Sequence, residues 1–221
     1  MIIFVKMWSS KIQRMRLFPI LLAFLPFSSV SAQKDAQAKT ILDQIGAKVK
    51  AAKGIVVNIE LISKNSSGKA LGTKIINLKM KGEKYLLQQG ATEVLCDGSI
   101  IYNFDGVNTI SKSNLAESDQ TLSPQKLLSG SYDKDFNYSL LSQNNNLATI
   151  VMLPIDKRKN FQKVTLVIDK LKSALSSATI LDKSNNITFV KVQSINFGVV
   201  LVDKLFLFNR AKYPKNVEIF D

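Results

Sequence analysis

Histidine is absent from this sequence, and cysteine occurs once, at Cys96. Without histidine no Ser-His-Asp or Cys-His nucleophile can be assembled, and zinc sites that use imidazole are excluded. A single cysteine excludes an internal disulfide and any multi-cysteine metal site, so Cys96 reads as a small buried apolar residue. Arginine is scarce as well. Beyond residue 32 only Arg158 and Arg210 remain, which removes the bidentate forks on which base-edge and phosphate recognition depends. The 17 acidic residues are scattered, with no pair at metal-ligand or general-acid spacing. These shortages argue against an enzyme, against a bound cofactor and against nucleic acid as a partner.

What is present begins with a secretory pattern. Lys6, Lys11, Arg14 and Arg16 form a basic segment without an acid, Leu17 to Phe27 is an apolar core, and Val30-Ser31-Ala32 offers small residues for cleavage before Gln33. That order predicts a signal peptide over residues 1–32. The apolar run is shorter than the roughly 20 residues needed to span a bilayer, and Pro19 and Pro26 interrupt it. Residues 33–221 are then expected as one domain outside the cytoplasm. Removing residues 1–32 takes away four of the 30 basic residues and none of the 17 acids, which leaves a formal charge of +9. Such a balance favours anionic surfaces as partners, and a lysine-rich solvated surface accounts for it equally well.

Periodicity divides the rest into one helix and a run of strands. Ala38, Ile41, Leu42, Ile45, Val49 and Ala52 recur at three- and four-residue spacing, which predicts an amphipathic helix over residues 36–53 with Gly54 ending it. The period then changes to two. Ile55, Val57, Ile59 and Leu61 share one face, and Ile76, Leu78 and Met80 alternate with polar neighbours, followed by Tyr85 and Leu87. Asp97-Gly98 is a tight-hairpin signal, and Tyr102 and Phe104 lie on one face of the strand that follows. Residues 112–130, including Ser113, Asn114, Glu117, Ser118 and Asp119, read as loop. Within them Ser123-Pro124 opens a short helix carrying Leu127 and Leu128. Further strands are expected around 136–141, 147–153, 164–168, 175–181, 187–195 and 203–208. About ten strands at this spacing predict a mainly β fold, a sandwich or curved barrel-like antiparallel sheet, whose concave face must be filled. The two helices are available to cover it, as a lid over a cavity or as a plug in a core.

The order of these elements resembles a known family. The strand Asp97-Gly98-Ser99-Ile100-Ile101-Tyr102-Asn103-Phe104, the Ser-Pro helix and a terminal segment with Asn196, Asp203, Phe206, Phe208 and Tyr213-Pro214-Lys215 are similar to the periplasmic outer-membrane lipoprotein carriers, the LolA family. Tyr102 stands where tryptophan is commoner. The resemblance implies an open, curved antiparallel half-barrel closed by an N-terminal and a central helix. It implies a periplasmic monomer that binds the acyl chains of lipoproteins in an apolar cavity. Its implied partners are acylated lipoproteins, an inner-membrane ABC-type release complex, and the outer membrane or an acceptor there. Better-studied members carry a Lys-Arg-Pro segment whose arginine helps hold the lid. Met80-Lys81-Gly82-Glu83-Lys84-Tyr85 stands at that place, with Lys81 for the arginine and no proline, which leaves open whether Lys81 takes the latching role.

The residues expected to wall the cavity are Ile59, Leu61, Ile76, Leu78, Met80, Tyr85, Leu87, Tyr102, Phe104, Leu166, Ile168, Phe206 and Phe208. Ile41, Leu42 and Ile45 on the first helix and Leu127 and Leu128 on the second are the lid candidates. Ordinary core packing explains any one of them as well as ligand contact does. An acyl chain gains roughly 0.8 kcal/mol per buried CH₂, so one long chain gains on the order of 10 kcal/mol in such a site. Two other readings remain: a lipid- or envelope-stress-sensing protein that regulates a membrane partner, and a structural surface protein with a filled core.

Overall fold

Asp35 starts the first helix and ties it to the sheet. Its Oδ1 accepts from the backbone N–H groups of Gln37 (2.8 Å) and Ala38 (3.1 Å), which satisfies two of the free donors of α1 (Ala36–Ala51). In the computed structural model, residues 34–116, 122, 124–130 and 132–221 are described. The expected signal segment, the loop residues Glu117, Ser118 and Asp119, and the Ser123 cap lie outside them. Among the described residues no helix is long and apolar enough to cross a membrane.

After α1 come β1 (Ile55–Lys64), β2 (Ala70–Lys81), β3 (Lys84–Gln89), β4 (Thr92–Cys96), β5 (Ile100–Phe104) and β6 (Thr109–Asn114). The short α2 (Pro124–Leu128) precedes β7 (Phe136–Gln143), β8 (Leu147–Pro154), β9 (Phe161–Asp169), β10 (Ala174–Asp182), β11 (Ile187–Asn196) and β12 (Glu218–Phe220). All twelve belong to one sheet in the order β12-β6-β5-β4-β3-β2-β1-β11-β10-β9-β8-β7. Neighbours are antiparallel except β12, which lies parallel to β6. β7 and β12 are the two edges, so the sheet is an open half-barrel. Register shifts at Asn58/Ile59, Leu140/Ser142 and Leu175/Ser177 insert extra residues, which bend and twist the strands that carry them.

Four local expectations are corrected. The helix ends at Ala51, and Gly54 instead bridges Gly198. A Cβ there would lie 2.6 Å from the Val199 carbonyl oxygen, so the glycine permits a close backbone crossing. Ser113 and Asn114 belong to β6 rather than to a loop, because Ile100 and Ile101 of β5 pair with them. Asp203–Phe206 is a 3-10 helix rather than a strand. It lies over a face of the sheet, with no edge to pair with, and the Leu205 N–H finds its acceptor locally at the Val202 carbonyl (3.1 Å). The strand β12 was not foreseen from its three residues.

Candidate functional site

Alternation places one apolar side chain from nearly every strand on the inner face. Across the register, Met80, Tyr85, Cys96 and Ile101 form one ladder, Val57, Leu78 and Leu87 a second, and Ala178, Leu166 and Ile150 a third. Ile59 pairs with Ile76, and Ile168 with Ala148. α1 lays Ala38, Leu42 and Ile45 into this face, and α2 adds Leu127 and Leu128. Leu78, Leu166 and Ile150 are fully excluded from solvent. Leu61, Leu87, Val94, Leu140, Ile180 and Val192 are half-buried members of the same cluster and mark where the helical cover thins. Burial pushes the Tyr85 hydroxyl up to about 12 and raises the Cys96 thiol as well, so both stay neutral and inert in this core.

The cover is held at its rim by polar bonds. Asp35 accepts from the Leu140 N–H at 3.0 Å through Oδ2 and donates its own N–H to the Tyr138 carbonyl at 3.1 Å. It thereby occupies part of the open β7 edge. These backbone donors, Leu140 first, hold its carboxyl below the ordinary range. Asp133 is a second tie: it accepts from Lys39 Nζ at 2.8 Å and from the Tyr138 hydroxyl. The Lys39 ammonium and then that hydroxyl hold the Asp133 carboxyl low.

α2 is fixed by Tyr132, whose buried hydroxyl donates to the Leu127 carbonyl at 2.6 Å, and by the half-buried Lys126–Asp135 pair at 2.7 Å. Gly130, at φ +70°, packs on α1 so closely that a Cβ would come within 2.5 Å of Gly46 N and the Leu42 carbonyl oxygen. Along this seam runs an open groove of about 670 Å³, lined by Asp43, Gly46 and Lys50 of α1 and by residues 130 and 132–135. The glycine inside α1, a weak position for a helix, is thus where the second lid piece seats.

The outer face of β3–β5 carries a separate apolar cluster of Leu86, Leu95, Leu201 and Phe206, flanked by Tyr102 and Phe208. Residues 198–217 form a strap across it, while Phe197 just before them still packs on the inner cluster. Tyr102 stacks on Phe208 (centroids 4.3 Å, planes 7° apart), Phe208 on Tyr213 (5.5 Å), and Phe104 meets Tyr213 edge-on (5.1 Å). The Tyr213 hydroxyl donates to Glu93 at 2.7 Å. Arg210 folds the end of the strap back by donating to the carbonyls of Pro214, Lys215 and Val217. Lys81 Nζ donates to the Leu201 carbonyl (3.2 Å) and Asp203 (3.1 Å), and Lys84 also reaches Asp203 (3.1 Å).

The expected wall therefore splits in two. Ile59, Leu61, Ile76, Leu78, Met80, Tyr85, Leu87, Leu166 and Ile168 share the inner cluster with Ile41, Leu42, Ile45, Leu127 and Leu128. Tyr102, Phe104, Phe206 and Phe208 are on the other side of the sheet, and their assignment to the same wall is corrected. Lys81 latches the strap rather than the lid, because it follows inward Met80 and so points outward. Ile150 and Met152 were missed, because the run Ile150-Val151-Met152-Leu153 is apolar on both sides and only the fold shows that Ile150 and Met152 face inward. Tyr132 carries no sequence signal, since its role depends on a carbonyl presented by α2.

The family described as outer membrane lipoprotein carrier protein LolA matches residues 92–209, a little over half of the chain. No curated protein sequence matches it. Among solved structures, an uncharacterized conserved protein from Thermus thermophilus is 11% identical, with 83% of this chain and 98% of that one covered at a TM-score of 0.56. A LolA superfamily protein from Nitrosomonas europaea is 14% identical over 77% of this chain and 97% of its own, at 0.45. A putative outer membrane lipoprotein-sorting protein domain from Vibrio parahaemolyticus is 14% identical over 77% and 96%, at 0.42. At 11% identity the likeness to the Thermus thermophilus protein is one of fold.

Proposed function

The chain belongs to the LolA family of outer membrane lipoprotein carrier proteins, and on that premise we propose that it is a periplasmic carrier, not an enzyme, that takes lipoproteins by their acyl chains from the inner to the outer membrane. The observation that carries this reading is the pairing of a continuous aliphatic inner face with a cover made of two separate helical pieces. α1, α2 and Tyr132 fill that face. An acyl chain reaches it only when the cover moves.

The energetics suit such an exchange. Lifting α2 exposes Leu127 and Leu128, at roughly 1.5–3 kcal/mol each, and breaks the Tyr132 and Lys126 bonds. One long acyl chain entering the vacated face gains on the order of 10 kcal/mol, enough to hold the cover open. Reclosure of the helices favours release, because the cover and the cargo compete for one surface. A segment read as a secretion signal supports the periplasmic location. An inner-membrane ABC-type complex would supply the cargo, and the outer membrane or an acceptor there would receive it.

The test is release from inner-membrane vesicles that carry a labelled lipoprotein. The carrier should bring the lipoprotein into the soluble fraction as a discrete complex on gel filtration, and a lipoprotein stripped of its acyl chains should not bind. A protein that releases nothing and ignores a fluorescent fatty-acyl probe would sink the reading and leave a filled structural core.

A further inference from the structure

We propose that the outward side of the C-terminal strap is a docking surface for an anionic lipid bilayer. The strap alternates. Val199, Leu201, Phe206 and Phe208 pack toward the sheet, while Val200, Val202 and Leu207 are turned out at 77%, 61% and 55% exposure. Three aliphatic side chains so exposed within eight residues have no packing role. Lys204, Lys212 and Lys215 are exposed on the same segment. Its one acid between residues 198 and 217, Asp203, is held by Lys81 and Lys84, so the surface left facing outward is cationic.

Aliphatic side chains interleaved with lysines are the chemistry of an interfacial anchor. The apolar groups enter the headgroup boundary and the ammonium groups meet anionic headgroups. The rigidity of the strap favours this use. The aromatic stack of Tyr102, Phe208 and Tyr213 and the Arg210 clamp fix its path, so little order is gained on binding and little entropy is lost. Charge complementarity selects the occupant, since the chain keeps a formal charge of +9 once residues 1–32 are removed, which attracts it to an anionic bilayer, and the strap supplies the apolar contact. The proposal deepens the carrier reading by naming the face that would meet the membrane. It is tested without any lipoprotein, so the two readings fail separately.

Cargo-free protein is co-sedimented with vesicles of phosphatidylcholine and phosphatidylglycerol, and with phosphatidylcholine alone. Binding is expected only with the anionic vesicles and should weaken steeply as salt is raised. The variant Val200→Ser/Val202→Ser/Leu207→Ser should melt as the parent does and lose binding by about tenfold or more. Val200→Ser alone should show part of that loss, and Leu141→Ser, at an exposed apolar site on β7 at the opposite edge of the sheet, should show none. Lys204→Glu/Lys212→Glu/Lys215→Glu should abolish binding to anionic vesicles. Absence of binding to anionic vesicles, or a triple serine variant that binds as the parent does, overturns the proposal.

Discussion

The two faces of the sheet are covered by different means. Inside, one long and one short helix lie over aliphatic side chains, and the bonds that hold them sit at the rim: Asp35 on the β7 edge, Asp133 under Lys39, and Tyr132 beneath α2. Outside, an extended strap is fixed by stacked rings, a buried phenylalanine and the Arg210 clamp. Aromatic stacks need a specific geometry and resist sliding. Aliphatic packing is nearly isotropic, and another hydrocarbon can replace it. On the proposed function the outer cover is structural and the inner one is the part that gives way to cargo.

The largest test of that contrast is Phe206→Ala. The side chain is wholly buried in the outer cluster, so its loss should lower stability by about 3–5 kcal/mol in urea unfolding. The fraction that stays folded should bind a fatty-acyl probe with unchanged affinity. A severalfold loss of affinity would mean that the faces are coupled.

Gly130→Ala addresses the inner cover. The new methyl would meet backbone atoms of α1 at 2.5 Å, on a residue already at φ +70°, and should cost about 1–3 kcal/mol. Because the clash unseats α2, probe uptake should become faster than in the parent. A lower melting temperature with unchanged uptake would show that α2 is not the gate.

Acid gives the smallest effect. The carboxyls of Asp35 and Asp133 titrate below the ordinary range in the folded protein, through backbone donors and the Lys39 ammonium respectively. Their contribution is complete above the unfolded value of about 3.9 and is lost as pH falls through the lower folded values. Melting temperatures should therefore drop below about pH 4, and Asp133→Asn should flatten part of that drop. An identical acid profile in the variant would remove Asp133 from the set of ties.

Much of the inner face was legible in the sequence because a strand repeats every two residues whatever surrounds it. Ile76, Leu78 and Met80, with polar neighbours between them, had to share a face, and one apolar face on an antiparallel strand is the buried one. Tyr102 and Phe104 failed for a physical reason. β5 is apolar on both sides, with Ile101 facing the helices and Tyr102 the strap, so alternation grouped the residues correctly without saying which group was inside. The role of Lys81, left open by the sequence, depends on the same choice of face. Phe206 and Phe208 were drawn into the inner wall because nothing local reveals that residues 198–217 cross the convex side.

Local geometry follows from residue order alone: the amphipathic helix, the hairpin at Asp97-Gly98, the two-residue period of the strands and the lack of histidine that excludes imidazole-based nucleophile and zinc sites. Backbone sterics and side-chain periodicity act within a few residues, so those features can be read along the chain. Three outcomes were settled only by folding: which face each strand turned inward, the meeting of Gly46 with Gly130, and the strap that covers the surface behind β3–β5. They rest on contacts between residues far apart in the chain, some of them 120 or more, such as Lys81 with Leu201 and Tyr213 with Glu93, and the free energy of such contacts exists only once the chain has folded.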